Sequence, residues 1–227
     1  VDDLAASIDD ELSRWTSAGL ARRLTPPAGA DFASNDYLDL SRHPRVVAAA
    51  EEALREFGAG APSARLLRGH LPPHEDAECA AAAWLGAEAA LLVPSGWHAN
   101  LAVLGALAGR GDIVLSGERN HASLVDAARL CGARVEVHAH HDAAHADVLL
   151  RRARGARRRF VVAESVESTG GERAPLGDLA RVCREHDAWL VVDEAHAAGL
   201  YGDDGAGLAA NPELIDRVVA RVVTGGK

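Results

Sequence analysis

The sequence predicts an α/β fold: a mostly parallel β-sheet with helices on both faces. Short apolar runs recur at 90–93, 112–115, 134–137, 160–163, 190–192 and 218–223. Most are continuous rather than alternating, which is the pattern of strands covered on both sides. Segments with helical spacing lie between them, at 98–108, 121–131, 143–154 and 179–186. Strand–helix repetition of this kind produces parallel pairing.

The elements follow in order. Residues 4–18 read as an amphipathic helix, and Pro26 and Pro27 end that region. Residues 31–40 read as a short strand followed by a turn. Pro44 suits the first turn of a helix, where its missing N–H is not needed. Val46, Val47, Ala50, Ala53, Leu54 and Phe57 then recur at helical spacing up to Gly58. Residues 58–69 form a Gly/Ala/Pro loop carrying Arg65 and Arg68. A helix follows Pro73, with Ala77, Ala80, Ala81 and Trp84 on one face, and stops at Gly86. From residue 90 onward the strand–helix alternation is regular, with no internal repeat and no low-complexity linker.

Bulk properties exclude several classes. The 227 residues suffice for a sizeable core, and 48% hydrophobic with 25% charged residues is ordinary globular usage, not disorder. No apolar stretch approaches the ~20 residues of a membrane span. Asp2, Asp3, Asp9 and Asp10 give an acidic start unlike a signal or transit peptide. A net charge of −9 speaks against nucleic acid and anionic membranes as partners. The three cysteines include no CxxC pair, so neither a disulfide framework nor a zinc ribbon is expected, and a reducing cytoplasmic setting is. Lys227 is the single lysine among 24 basic residues.

Five polar clusters sit where chemistry is expected, at strand ends. Ser95-Gly96-Trp97-His98-Ala99-Asn100 joins a strand to a helix and offers backbone N–H groups to an anion. Asn120-His121-Ala122-Ser123 follows the next strand. Glu164-Ser165-Val166-Glu167-Ser168-Thr169-Gly170-Gly171 is rich in hydroxyls and glycines. Asp193-Glu194-Ala195-His196 ends a buried strand with two acids and an imidazole. Thr224-Gly225-Gly226-Lys227 ends the last one, and a lysine among small residues can form a Schiff base with an aldehyde. Each has an ordinary reading as a helix cap, a turn or a solvated lysine. Their shared place at strand ends points to one site.

Other readings are weaker. Asp-Glu-Ala-His after an apolar strand suits a nucleotide-driven ATPase, but that needs a P-loop lysine, and Arg221 stands where the first glycine before Lys227 would be. His138, His140, His141 and His145 crowd together, yet no acid or cysteine is arrayed to complete a defined site, so no metal is expected. Arg151, Arg152, Arg154, Arg157, Arg158 and Arg159 read as a solvated helix end. No Gly-x-Gly-x-x-Gly joins a strand to a helix, so a dinucleotide is unsupported.

Taken in order, these residues resemble those of the α-oxoamine synthases, a family of fold-type I pyridoxal-phosphate (PLP) enzymes. Phe32-Ala33-Ser34-Asn35-Asp36-Tyr37-Leu38 with His43-Pro44 is similar to one family segment. Phe57-Gly58-Ala59-Gly60 through Ser63, Arg65, Gly69, His74 and Glu78 is similar to its Gly/Ser-rich loop and following helix. The five clusters, with Ala174-Pro175-Leu176, complete the series. Departures fall at Trp97 for Phe or Tyr, Glu167 and Thr169-Gly170 for Phe and Met-Asp, Asp39 for Gly, Pro62 within the loop, and Ala197-Ala198 for Gly-Thr.

The resemblance implies a fold-type I large domain over 46–227, after an N-terminal segment 1–45, with the pattern continuing beyond Lys227 into a C-terminal domain. It implies that Lys227 binds PLP covalently and moves the substrate α-proton, and that Asp193 pairs with the pyridine nitrogen. His121 would stack on the ring. His196 and Ser168 would lie near the phenolic oxygen, and Gly96, Trp97 and Thr224 would hold the phosphate. Asn35 and Arg22 are implied substrate contacts, although the family arginine aligns nearer Ala21. The implied reaction joins an amino acid, L-alanine in the biotin-synthesis branch, to a pimeloyl thioester of coenzyme A or a carrier protein, with loss of carbon dioxide. Branches using glycine or serine are the alternatives, as is a non-catalytic scaffold of the same fold. The implied assembly is a cytoplasmic homodimer with its site at the subunit interface.

Overall fold

The computed structural model describes residues 2–225, and Gly226 and Lys227 lie outside the described residues. The chain divides into two compact units, residues 1–35 and residues 36 onward. The first unit contains helix α1 (Asp2–Ser17). Leu4, Ile8, Leu12 and Trp15 recur every three or four residues along it and are exposed. The Trp15 carbonyl accepts the Leu20 N–H at 2.8 Å as the helix closes. Arg22 follows in irregular backbone. Asp31 Oδ1 then accepts both the Ala33 and Ser34 N–H groups, at 2.9 and 3.0 Å.

The strand expected at 31–40 is not formed, and these residues make bends and turns. Carboxylates take the N–H groups that a strand would offer to a neighbour: beyond those at Asp31, Asp36 accepts from Leu40 N at 2.8 Å and Ser41 N at 3.0 Å. Helix α2 (Pro44–Phe57) starts at the expected proline and ends at Gly58, whose φ of +82° suits glycine. The following loop contains one turn of π-helix, Arg65–Gly69. Helix α3 (Pro72–Leu85) ends at Gly86 in the left-handed conformation.

The run 90–93 is likewise no strand in the structure. The Leu92 N–H donates to Glu78 Oε1 at 2.7 Å, and the Leu92 carbonyl accepts from Arg65 Nη1 at 2.7 Å. Side chains occupy the groups that a strand partner would need. Leu91 and Leu92 remain exposed as a result.

From there the predicted alternation holds. Helix α4 (Gly96–Leu107), strand β1 (Ile113–Gly117), α5 (Ala122–Leu130), β2 (Arg134–His138), α6 (Ala143–Arg152), β3 (Arg159–Glu164), α7 (Leu176–Glu185), β4 (Trp189–Asp193) and β5 (Val218–Val222) follow in order. The sheet order is β2-β1-β3-β4-β5, and every pairing is parallel. The central strands β1, β3 and β4 are almost wholly buried, which is why their sequences are apolar without alternation.

Neighbouring residues on these strands serve opposite cores. Leu115, Val161, Leu190 and Val192 meet α6 and α7 through Leu149, Leu150, Leu179 and Val182. Val114, Phe160, Val162 and Val191 meet α4 and α5 through Leu104, Leu124, Ala127 and Ala128. Asp112 anchors the amino edge of the sheet. The Arg157 fork donates to both its oxygens at 2.8 Å, and Gly109 and Arg158 N–H groups donate at 3.0 and 3.1 Å.

Phe160→Ala is expected to cost about 3–5 kcal/mol, read as a fall in the urea midpoint, because the buried ring leaves a cavity between β3 and α4–α5. The Arg157 guanidinium holds the Asp112 carboxyl below its ordinary 3.8. That stabilisation is present above the ordinary value and is lost as pH falls through the lowered native one. Asp112→Asn is expected to cost about 2 kcal/mol at neutral pH. The gap to the wild type should close in acid, and a gap unchanged to pH 2 would refute the assignment.

Candidate active site

Parallel pairing brings the carboxyl ends of all five strands to one side of the sheet. Strand β1 leads into Asn120 and His121, β3 into Glu164 and Ser165, β4 into Asp193 and His196, and β5 into Thr224. Glu164 and Asp193 are direct register partners across β3 and β4. The amino end of α4 arrives beside them: Ser95 caps that helix, its Oγ accepting the His98 N–H at 3.3 Å. A Cβ on Gly96 would stand 3.0 Å from Thr224 Cγ2, so glycine lets the helix approach the end of β5.

Gly96, Trp97, His121, Ser123, Asp193 and Thr224 line one cavity of about 1040 Å³. Its far wall is formed by 87–93 and by β5. The edge of the Trp97 indole meets the His121 ring, with centroids 6.0 Å apart at 79°.

The turn that carries His121 is fixed from below. Asn120 Nδ2 donates to Ser116 Oγ at 3.0 Å and to the Val162 carbonyl at 2.8 Å. The His121 N–H donates to Glu164 Oε1, and the Ser168 N–H donates to Glu164 Oε2 at 2.8 Å. One buried carboxylate therefore ties the β1–α5 turn to the loop after β3. Burial pushes the Glu164 carboxyl up, and the Asp193 charge adds to that shift. Asp193 is held at both oxygens, Oδ1 by the Ala195 N–H at 2.9 Å and Oδ2 by Asn100 Nδ2 at 2.8 Å. Glu194 faces the other way. It is fully buried, its Oε1 accepts the Ala209 N–H at 3.0 Å, and burial pushes its carboxyl up.

The structure gathers Gly96, Trp97, His121, Asp193 and Thr224 around the cavity, while Ser168 and His196 lie outside its lining. Ser168 joins the group through Glu164. His196 Nδ1 is 2.7 Å from the Tyr37 hydroxyl. Arg22 and Asn35 belong to the first unit. The expectation that no acid is arrayed with the clustered histidines to complete a defined site is corrected. Glu172, from the loop after β3, has its Oε2 2.8 Å from His140 Nε2, and His140 stacks on His141 at 3.7 Å. An acid 32 residues away in sequence is brought beside them by the β2–β1–β3 order.

Sequence reasoning gave no role to Asn100, Ser123, Tyr37 or Glu164. Asn100 carried a usable signal: a polar amide at the head of the apolar run 101–107 needs a buried partner.

The family described as aminotransferase class I and II matches residues 28–227. The chain belongs to this family. Among curated members, it is 46% identical over 233 residues to the 8-amino-7-oxononanoate synthase of Anaeromyxobacter sp. (strain K), covering 97% of this chain and 58% of that protein. It is 49% identical over 220 residues to the enzyme of that name from Mycolicibacterium smegmatis (strain ATCC 700084 / mc(2)155), covering 92% and 57%. The chain thus spans under two thirds of the length of these relatives. Among solved structures of the class I and II fold, the Sphingomonas wittichii serine palmitoyltransferase superposes with a TM-score of 0.74 at 35% identity, covering 77% of this chain and 44% of that one. The Francisella tularensis 8-amino-7-oxononanoate synthase gives 0.67 at 26% identity, covering 79% and 49%. An SPT structure that contains PLP as an internal aldimine gives 0.74 at 33% identity, covering 78% and 44%. These relatives bear out the resemblance to the α-oxoamine synthases and the fold-type I architecture.

Burial keeps the proton on Glu164 to higher pH in the native state than in the unfolded chain, whose ordinary value is 4.5. Its contribution to stability is full below that value and is lost as pH rises through the raised native one. Glu164→Gln is neutral throughout and offers one acceptor oxygen to two N–H donors. Its stability should vary less as pH rises above 4.5 than that of the wild type, and amide exchange at His121 or Ser168 should quicken. Equal pH slopes for the two proteins would refute this account.

Proposed function

We propose that the cavity is the site of a PLP-dependent α-oxoamine synthase, formed in the large domain from residue 46 onward. One juxtaposition carries the reading. A buried carboxylate held by two donors, an imidazole face and the glycine-opened start of a twelve-residue helix converge on one cavity. These residues fit the cofactor. Asp193 suits a protonated pyridine nitrogen, His121 suits the ring face, and the first-turn N–H groups of Gly96 and Trp97 with the Thr224 hydroxyl suit a phosphate. When bound, PLP supplies an electron sink for bonds breaking at the substrate Cα.

The remaining work belongs to the chain. The Asp193 carboxylate would hold the proton on the pyridine nitrogen. His121 would fix the ring plane from one face, and Trp97 would support His121 edge-on. Lys227 would carry the covalent link and take or return the proton at the substrate Cα. His196, with Tyr37, and Ser168 would act at the phenolic side. Asn35 and Arg22 are the proposed substrate contacts. The names of the curated relatives support L-alanine and a pimeloyl thioester, of coenzyme A or a carrier protein, as substrates, with carbon dioxide and 8-amino-7-oxononanoate as products. The likeness to serine palmitoyltransferases supports serine as the competing amino acid. Leu66 and Leu67, fully and largely exposed beside the loop of Arg65, support a homodimer that covers them.

The test is reconstitution. Added PLP should give a visible absorption band, and borohydride should fix it to the peptide containing Lys227. Alanine should shift the band more than glycine or serine. Asp193→Ala should lower turnover on the order of 10²–10³-fold, the scale of losing one charge-stabilising group. No band, or a label on another peptide, would overturn the reading, and a larger shift with serine would transfer the assignment to the serine branch.

A further inference from the structure

We propose that Asn100 and Ser123 are positioning residues that decide which nitrogen of His121 carries the proton, holding the imidazole as its Nε2–H tautomer. The contacts are continuous. Asn100 Nδ2 donates to Asp193 Oδ2 at 2.8 Å and to Ser123 Oγ at 2.9 Å. Ser123 Oγ lies 2.7 Å from His121 Nδ1. Asn100 and Ser123 are each 1% exposed, so bulk water does not substitute for these partners.

The direction of the chain is set at its Asp193 end. Turned over, the Asn100 amide would present its oxygen to a carboxylate oxygen, acceptor against acceptor. The orientation with the NH₂ group toward Asp193 leaves Asn100 Oδ1 buried without a hydrogen-bond partner among the described residues. Leaving a neutral carbonyl unpaired is the lesser cost when the alternative also opposes it to a charge. Both amide hydrogens are then committed, one to Asp193 and one to Ser123. Ser123 Oγ accepts, and its own hydrogen is left for His121 Nδ1.

A longer backbone contact points the same way but is the weaker of the two. His121 is the N-cap of α5, and its Nδ1 accepts the Ser123 N–H at 3.2 Å. Both neighbours ask Nδ1 for its lone pair, and neither asks for a proton. In the neutral ring the proton therefore sits on Nε2. The ring lines the cavity as a hydrogen-bond donor, suited to a carboxylate or carbonyl oxygen of a substrate. That use rests on the function proposed above, whereas the tautomer rests only on the contacts.

The experiment is ¹⁵N-histidine labelling of the full chain with long-range ¹H–¹⁵N correlation. The His121 signals are those lost in His121→Asn. Wild-type His121 should show Nδ1 in the unprotonated range and Nε2 in the protonated range. Ser123→Ala should move Nδ1 toward the protonated range, and Ser123→Thr, which keeps the hydroxyl, should restore it. Asn100→Leu should move it in the same direction as Ser123→Ala. A protonated Nδ1 in the wild type, or resonances unmoved by Ser123→Ala, would overturn the proposal. PLP uptake is read separately by absorption. A protein with the Nε2–H pattern that takes up no PLP would keep this inference and remove the cofactor reading.

Discussion

The structure depends on all-parallel pairing of five strands. Parallel ladders need crossovers, and α5, α6 and α7 supply three of them, so the middles of β1, β3 and β4 are covered on both faces and are apolar without alternation. The same constraint collects every strand's carboxyl end on one side. Residues as far apart in sequence as Asn100 and Asp193 therefore meet in one buried contact.

That side of the sheet holds many polar groups for so buried a region. Most are satisfied by one another: Glu164 joins two turns, Asp193 accepts two donors, and Asn120 spans β1 and β3. Such a network rigidifies because each member loses a partner if its neighbour moves. Glu164 and Asp193, register partners on neighbouring strands, are both buried, and burial together with the Asp193 charge raises the Glu164 carboxyl. A core built for stability alone would not carry this arrangement, and its place beside the cavity agrees with a site that handles charge.

The fold was largely legible because its signals are local. Val161 and Val162 lie side by side in an unbroken apolar run because each faces a different helix layer. The two misread segments failed for one physical reason. At 31–40 and at 90–93 the sequence read as short strand, but side chains captured the groups that a strand would use: Asp31 and Asp36 in the first, Glu78 and Arg65 in the second. A β-strand requires a partner, and a local pattern does not report whether one is available.

The site divides along the same line. By itself the sequence determined the strand ends that carry His121, Asp193 and Thr224 and the helix start that carries Gly96, each beside a turn or cap readable from its neighbours. Only the tertiary structure decided how those residues act on one another. Glu172 reaching His140, Tyr37 reaching His196, and the Asn100 amide linking Asp193 to Ser123 and so to His121 all cross tens of residues. Hydrogen bonds are short and directional, so their partners are fixed by where the packed helices and strands bring each atom, and spacing along the chain does not encode that.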